Sequence, residues 1–269
     1  MARVKGDIFR WVMLFLSSMI LLFIIAPLAG MALKTGRNEF FGTIADSDVR
    51  NSVWYTLRIS FTATIVFAGG AIPLAWIMAR KRFPGRKVIQ GIIDLPVVIP
   101  HTAAGIALLG LISRDGIAGQ AASVLGLNLV NNPAGTALAM AFVSLPFLVN
   151  AARDGFASVP EKLEKAALSL GASRSRVFFT ISLPLAWRNI VSGLVMMFAR
   201  GMSEFGAVVI VAYHPMTAPV MIYERFSSFG LSYARPLSLL FVLVALVIFI
   251  LFRMISLERR VKKTSEADD

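Results

Sequence analysis

Cysteine is absent from the 269 residues and histidine occurs only twice. Disulfides, thiolate metal sites and a cysteine nucleophile are thereby excluded, and no HExxH pair is available for a metalloenzyme. No glycine is followed directly by lysine, so the phosphate-gripping lysine of a P-loop is missing and nucleotide-driven work needs another chain. Charge is scarce as well: 16% of residues are Asp, Glu, Lys or Arg, where an average soluble domain has roughly a quarter. Low-complexity tracts and convincing internal repeats are also lacking, and one membrane domain with no soluble appendage is expected.

What fills the chain is apolar, with 57% hydrophobic residues. Continuous apolar runs near 12–33, 53–79, 88–112, 134–150, 186–212 and 236–255 are each long enough to cross a hydrocarbon core of about 30 Å as a helix. Their continuity argues against a β-barrel, whose strands alternate apolar and polar residues. The expectation is an all-α membrane protein with six transmembrane helices in one domain, 1–269, with the first run retained rather than cleaved as a signal peptide.

The net charge of +12 invites a nucleic-acid reading, but its distribution answers otherwise. With the N-terminus placed inside, Arg3, Lys5 and Arg10, five cations in 80–87, six in 153–188 and five in 253–263 share one side. Lys34, Arg37, Arg50, Arg114, Arg225 and Arg235 fall on the other. That bias follows the positive-inside rule with both termini cytoplasmic. The basic charge sets topology, including the turn Arg80–Lys87 broken by Pro84-Gly85, and no nucleic-acid partner is needed.

Between the fourth and fifth runs lies a polar stretch, 158–184, that predicts two short helices outside the bilayer. Ser158, Pro160 and Glu161 form a capping signature, and Leu163, Ala166, Ala167 and Leu170 fall on one helical stripe. Gly171 suits a left-handed stop. Ser173 can start a second helix carrying Ile181 toward Leu183-Pro184, which is expected to break it ahead of the fifth span. The product is a compact knob with a shallow alanine surface, suited to docking a partner.

This stretch, with Glu164, Lys165, Ala166, Ala167, Gly171, Ile181, Leu183 and Pro184, resembles the cytoplasmic E-A-A loop of ABC importer permeases. Asp94–Thr102, Ala199–Ala207 and Ala212–Met216 with Ala218-Pro219 are similar to the permease subunits of molybdate/tungstate importers. Sulfate/thiosulfate permeases have related segments and stand as the alternative. The resemblance implies a type I importer permease fold and a homodimer working by alternating access. It further implies two separate ABC ATPases that hold ATP and Mg and dock on the loop, and an extracellular or periplasmic oxyanion-binding protein. This chain itself would be non-catalytic and bind no cofactor or metal. One position departs from the motif: its acidic residue is Lys165 here, with Glu164 beside it, so either Glu164 substitutes for it in a charge contact with the ATPase or shape complementarity alone carries the contact.

Inside the spans Glu204 is the most telling charge, since a carboxylate there faces a partner or a water-filled path. Either it forms an i, i+4 pair with Arg200, or with Ser203 it lines a translocation path or gate. His101, after Pro96 and Pro100, is either kink packing or a path residue; Asp94 suggests a local salt bridge, and His214 an outer contact with the binding protein. A self-sufficient secondary transporter or channel is the competing class, but the intramembrane charges are too few and scattered for a coupling-ion site.

Overall fold

The computed structural model describes residues 2–265, with side chains placed from Phe9 to Phe252. The basic residues at 3, 5 and 253–263 lie outside those described side chains. All regular structure among the described residues is helical: α1 (Ala2–Leu33), α2 (Arg37–Ala45), α3 (Ser47–Arg80), α4 (Arg86–Val98), α5 (His101–Ile112), α6 (Ile117–Val124) and α7 (Pro133–Ser158). After these come α8 (Glu161–Ser169), α9 (Arg174–Val177), a π-helical turn (Phe178–Ser182), α10 (Leu183–Met202), α11 (Gly206–Val211), α12 (Ala218–Phe229) and α13 (Leu231–Ser265). Five helical stretches are long and apolar enough to span a membrane, and a bent pair would make a sixth.

The chain forms two compact units. The first holds residues up to Arg50 together with Ile222–Val244. Its α1 exposes Phe15, Leu22 and Phe23 among many others, and a helix apolar all round requires hydrocarbon rather than water. Asp46 links α2 to α3. One of its carboxylate oxygens accepts the Asp48 amide at 2.9 Å, capping α3, and the other accepts Arg225 Nη2 at 2.6 Å. Partial burial opposes charge on this carboxyl, but Arg225 and the Asp48 and Val49 amides outweigh it and hold the group below its ordinary range.

The second unit comprises Asn51–Met221 and the chain from Ala245 onward. Its first core layer packs Leu148, Val149, Ala152 and Phe156 of α7 against Ala186, Ile190 and Met197 of α10. A second layer gathers Ala104 and Leu108 of α5, Val143 of α7, and Ala207, Val208 and Val211 of α11.

Three boundaries differ from the sequence expectation, each for a local reason. The run at 88–112 is not one straight span: between α4 and α5 the chain bends by 113°. Pro100 pushes its predecessor Ile99 out of the helical region, to φ −71° and ψ 148°, as the ring of a proline requires. The run at 186–212 likewise breaks between Met202 and Gly206. Leu183-Pro184, by contrast, breaks nothing. The π turn before it, where the Leu183 amide reaches Phe178 O, adds a residue to the turn and relieves the clash between a proline ring and the carbonyl four residues back. One span therefore runs through Arg174–Met202.

Ser158 is also not an N-cap. It ends α7, and its hydroxyl donates back to Gly155 O at 2.7 Å, while Pro160 precedes α8 without a side-chain cap.

Candidate functional site

The knob is built around Gly171. Its φ of +85° is left-handed, a conformation glycine adopts without a Cβ penalty. The amides of Gly171 and Ala172 close onto Leu168 O and Ala167 O at 3.0 and 3.1 Å, which is a Schellman-type stop. Ser173 then accepts the Arg176 amide at 3.3 Å and starts α9.

Which face of α8 is turned inward decides what the knob offers. Glu164 and Ala167 are half-buried, whereas Leu163, Lys165, Ala166 and Leu168 are exposed and Leu170 is 89% exposed. An apolar surface is thus presented outward from a short polar helix. Ile181 and Leu183 are half-buried and Pro184 is exposed at the start of α10. Phe178 seats the π turn, its ring 5.8 Å from Trp76 and 5.9 Å from Phe156.

Glu164 is engaged inside the chain, contrary to its expected role as a free charge for a partner. Its two oxygens accept Arg80 Nε at 3.0 Å each, Arg80 Nη2 adds a bond to Oε1 at 2.9 Å, and Ser182 Oγ donates to Oε1 at 2.7 Å. Arg80 Nη2 also donates to Val159 O. This clamp ties α8 to the end of α3 and to the π turn. Arg80 is the residue that sequence reasoning missed, because it sits in a run of cations that topology alone accounts for. Lys165 points to solvent and pairs with Glu161 at 3.0 Å; the hydrogen bond and charge of Lys165 hold the Glu161 carboxyl below its ordinary value.

About 30 Å away along α3, at a rise of about 1.5 Å per residue, a second cluster sits where two helix breaks meet. Ser60 on α3 marks the level, its hydroxyl donating to Phe198 O at 2.8 Å. Glu204, in the break after α10, is 1% exposed. Its Oε1 accepts the Ala207 amide at 2.9 Å, and its Oε2 lies 2.9 Å from Arg200 Nη2 and 2.8 Å from His101 Nδ1. Arg200 Nη2 also lies 2.8 and 3.0 Å from the two ring nitrogens of His101.

The start of α11 reaches the start of α5 only because position 206 is glycine: a Cβ there would sit 2.7 Å from His101 Cβ. Glu204 is therefore a buried, paired carboxylate that joins two breaks. The exposed members of the cluster are Ser203 and, in part, Arg200 and His101. Both halves of the Arg200–Glu204 pair are legible from i, i+4 spacing; that His101 completes it is not, since 103 residues separate them.

Asp94 has amide partners rather than the expected cation, Gln90 Nε2 at 2.8 Å and Asn150 Nδ2 at 2.6 Å. His214 is exposed and packs its ring on Tyr213, apart from the His101 cluster.

Residues 71–263 match the family model of the binding-protein-dependent transport system inner membrane component. The molybdate/tungstate transport system permease protein WtpB of Thermococcus kodakarensis is 39% identical over 240 residues, 88% of this chain and 92% of that protein. The protein of the same name from Pyrococcus abyssi is 44% identical over 76% of each chain. A probable sulfate transport system permease protein, cysT of Chlorokybus atmophyticus, is 32% identical over 80% of this chain and 76% of its own. Among solved structures, a bacterial alginate ABC transporter in complex with an alginate pentasaccharide-bound periplasmic protein superposes with a TM-score of 0.74, covering 97% of both chains at 20% identity.

Proposed function

Because the chain belongs to the binding-protein-dependent transport system inner membrane components, we propose that it is the permease subunit of an ATP-driven importer for molybdate or tungstate. The observation that carries this reading is the gradient of identity, 39% and 44% to relatives named for molybdate/tungstate against 32% to one named for sulfate. Sulfate or thiosulfate is the second substrate reading, supported by that last relative.

In this reading two copies of the chain enclose the path, and two ABC ATPases on the cytoplasmic side hold ATP and Mg and supply all the hydrolysis. A soluble oxyanion-binding protein delivers the ion from the far side, where His214 is offered for contact. The positive-inside bias supports cytoplasmic termini and a cytoplasmic knob.

The knob's geometry supports docking by shape. Leu163, Leu168 and Leu170 are turned outward, while Glu164 has an internal task and Lys165 pairs with Glu161 at the surface. Force applied to α8 by a closing ATPase would pass through Glu164 to Arg80 at the end of α3, and through Ser182 to α10. At the distal end of α10 sits the break that carries Ser203 and Glu204. Rocking these helices changes access to the path, which is the alternating-access step.

Co-purification with the cognate ATPase tests the assembly. The account expects a complex of two permeases and two ATPases whose hydrolysis rises when loaded binding protein is added. A chain that moves oxyanion across liposomes without any ATPase would contradict it and support a secondary transporter.

A further inference from the structure

The break cluster does more than hold helices together. The geometry points to Arg200, with His101 beside it, as a transient contact site for the tetrahedral oxyanion during passage, with Glu204 as the buried residue that positions both. This deepens the importer reading and rests on it.

Arg200 is oriented as a donor fork whose two sides have different tasks. Its Nη2 faces Glu204 and His101, while Nη1 has only a long 3.5 Å approach to Ser203 Oγ. Nε and Nη1 carry no carboxylate partner among the described residues, and a planar guanidinium with free N–H groups is the side chain best matched to paired oxygens of an oxyanion. The side chains of Arg200 and His101 are 25% and 36% exposed while Glu204 is 1% exposed, so an anion approaching from the open side meets the cation first.

The arrangement also answers the objection that a carboxylate on the path would repel a dianion. Glu204 has both oxygens engaged, Oε1 by the Ala207 amide and Oε2 by Arg200 and His101. Together Arg200 and Glu204 form an oriented pair with no net charge and the positive end outward. Such a pair attracts an oxyanion without trapping it, as a conduit requires: binding has to favour entry yet allow release.

The chain's lack of cysteine makes the test direct. Ser203, exposed and adjacent to the fork, is replaced in a Ser203→Cys variant of the permease–ATPase complex, and its alkylation by N-ethylmaleimide is timed with millimolar tungstate or with chloride at matched ionic strength. Tungstate is expected to slow labelling severalfold, and chloride to leave it unchanged. Arg200→Met combined with Glu204→Gln removes the charge pair together, so no buried charge is stranded. In the Ser203→Cys background this double change should abolish protection while the ATPase complex still assembles.

Equal labelling with and without tungstate, or protection that survives the double change, would overturn the proposal while leaving the importer reading intact, provided wild-type vesicles still accumulate tungstate. Wild-type vesicles that accumulate no oxyanion would overturn the importer reading itself, and this site with it.

Discussion

Arg80 and Glu164 form a bidentate ion pair, with Nε 3.0 Å from each carboxylate oxygen and Nη2 2.9 Å from one of them, at side chains only 8% and 12% exposed. The pair makes the knob part of the membrane bundle rather than a loop hung from it.

Breaking one half of that pair is expected to hurt twice. Glu164→Ala strands the Arg80 guanidinium and should lower stability by about 3 kcal/mol, as one-sided loss of a buried pair does. Arg80→Lys loses the fork geometry and should behave similarly but more mildly. The double change Arg80→Met, Glu164→Met should regain most of the thermal stability measured in detergent yet leave ATP hydrolysis uncoupled from uptake. Full coupling in the double variant would show that the clamp transmits nothing.

Gly171 separates conformation from packing. A Cβ at that position meets nothing within 4 Å, so any penalty comes from the left-handed backbone, about 1–2 kcal/mol for a residue that resists it. Gly171→Val should insert normally in the membrane but lose most ATPase stimulation, and Gly171→Asn should retain much of it because Asn tolerates this conformation. Equal activity in both variants would remove the elbow from the docking account.

Much of this was legible in the sequence, and what was not has physical causes. The spans follow from apolar run length, the Gly171 stop from a glycine after a helical stripe, and the Arg200–Glu204 pair from four-residue spacing. The α4–α5 bend was half visible in Pro100, but its 113° angle depends on how α5 packs on α11. Pro184 misleads because a π turn precedes it, with Phe178 packed on Trp76 and Phe156, contacts no local pattern encodes. Arg80–Glu164 and His101–Glu204 join residues 84 and 103 positions apart, and one sequence carries no record of such pairings.

Leu170 tests whether docking is apolar. At 89% exposure it contributes little to the fold, so Leu170→Asp should leave thermal stability within about 0.5 kcal/mol. It should nevertheless abolish recovery of the ATPase in a pull-down. Lys165→Ala, which removes only an exposed pair, should change recovery little at any salt concentration. An intact complex with Asp at position 170 would exclude this face as the contact.

Asp46 predicts an acid-sensitive joint. Its carboxyl is held below the ordinary range, so the stability it contributes is fully present above the unfolded value of about 3.9 and disappears as pH falls through the lower folded value. Wild-type protein should therefore be indifferent to pH between 7 and about 5 at this site, then lose stability on further acidification relative to Asp46→Asn, measured by thermal melts of both. A parallel pH dependence of the two proteins would show that Arg225 gives the carboxylate no advantage.

Uptake by the reconstituted complex separates an ATP-driven molybdate or tungstate importer from every other reading. The chain is reconstituted in liposomes with its ATPase and binding protein, and labelled molybdate is followed with internal or external ATP and unlabelled tungstate or sulfate as competitors. The account predicts accumulation that requires ATP on the knob side, vanishes without the binding protein, and is blocked by tungstate at far lower concentration than by sulfate. Accumulation that is independent of ATP, or that sulfate blocks as readily as tungstate, would contradict it.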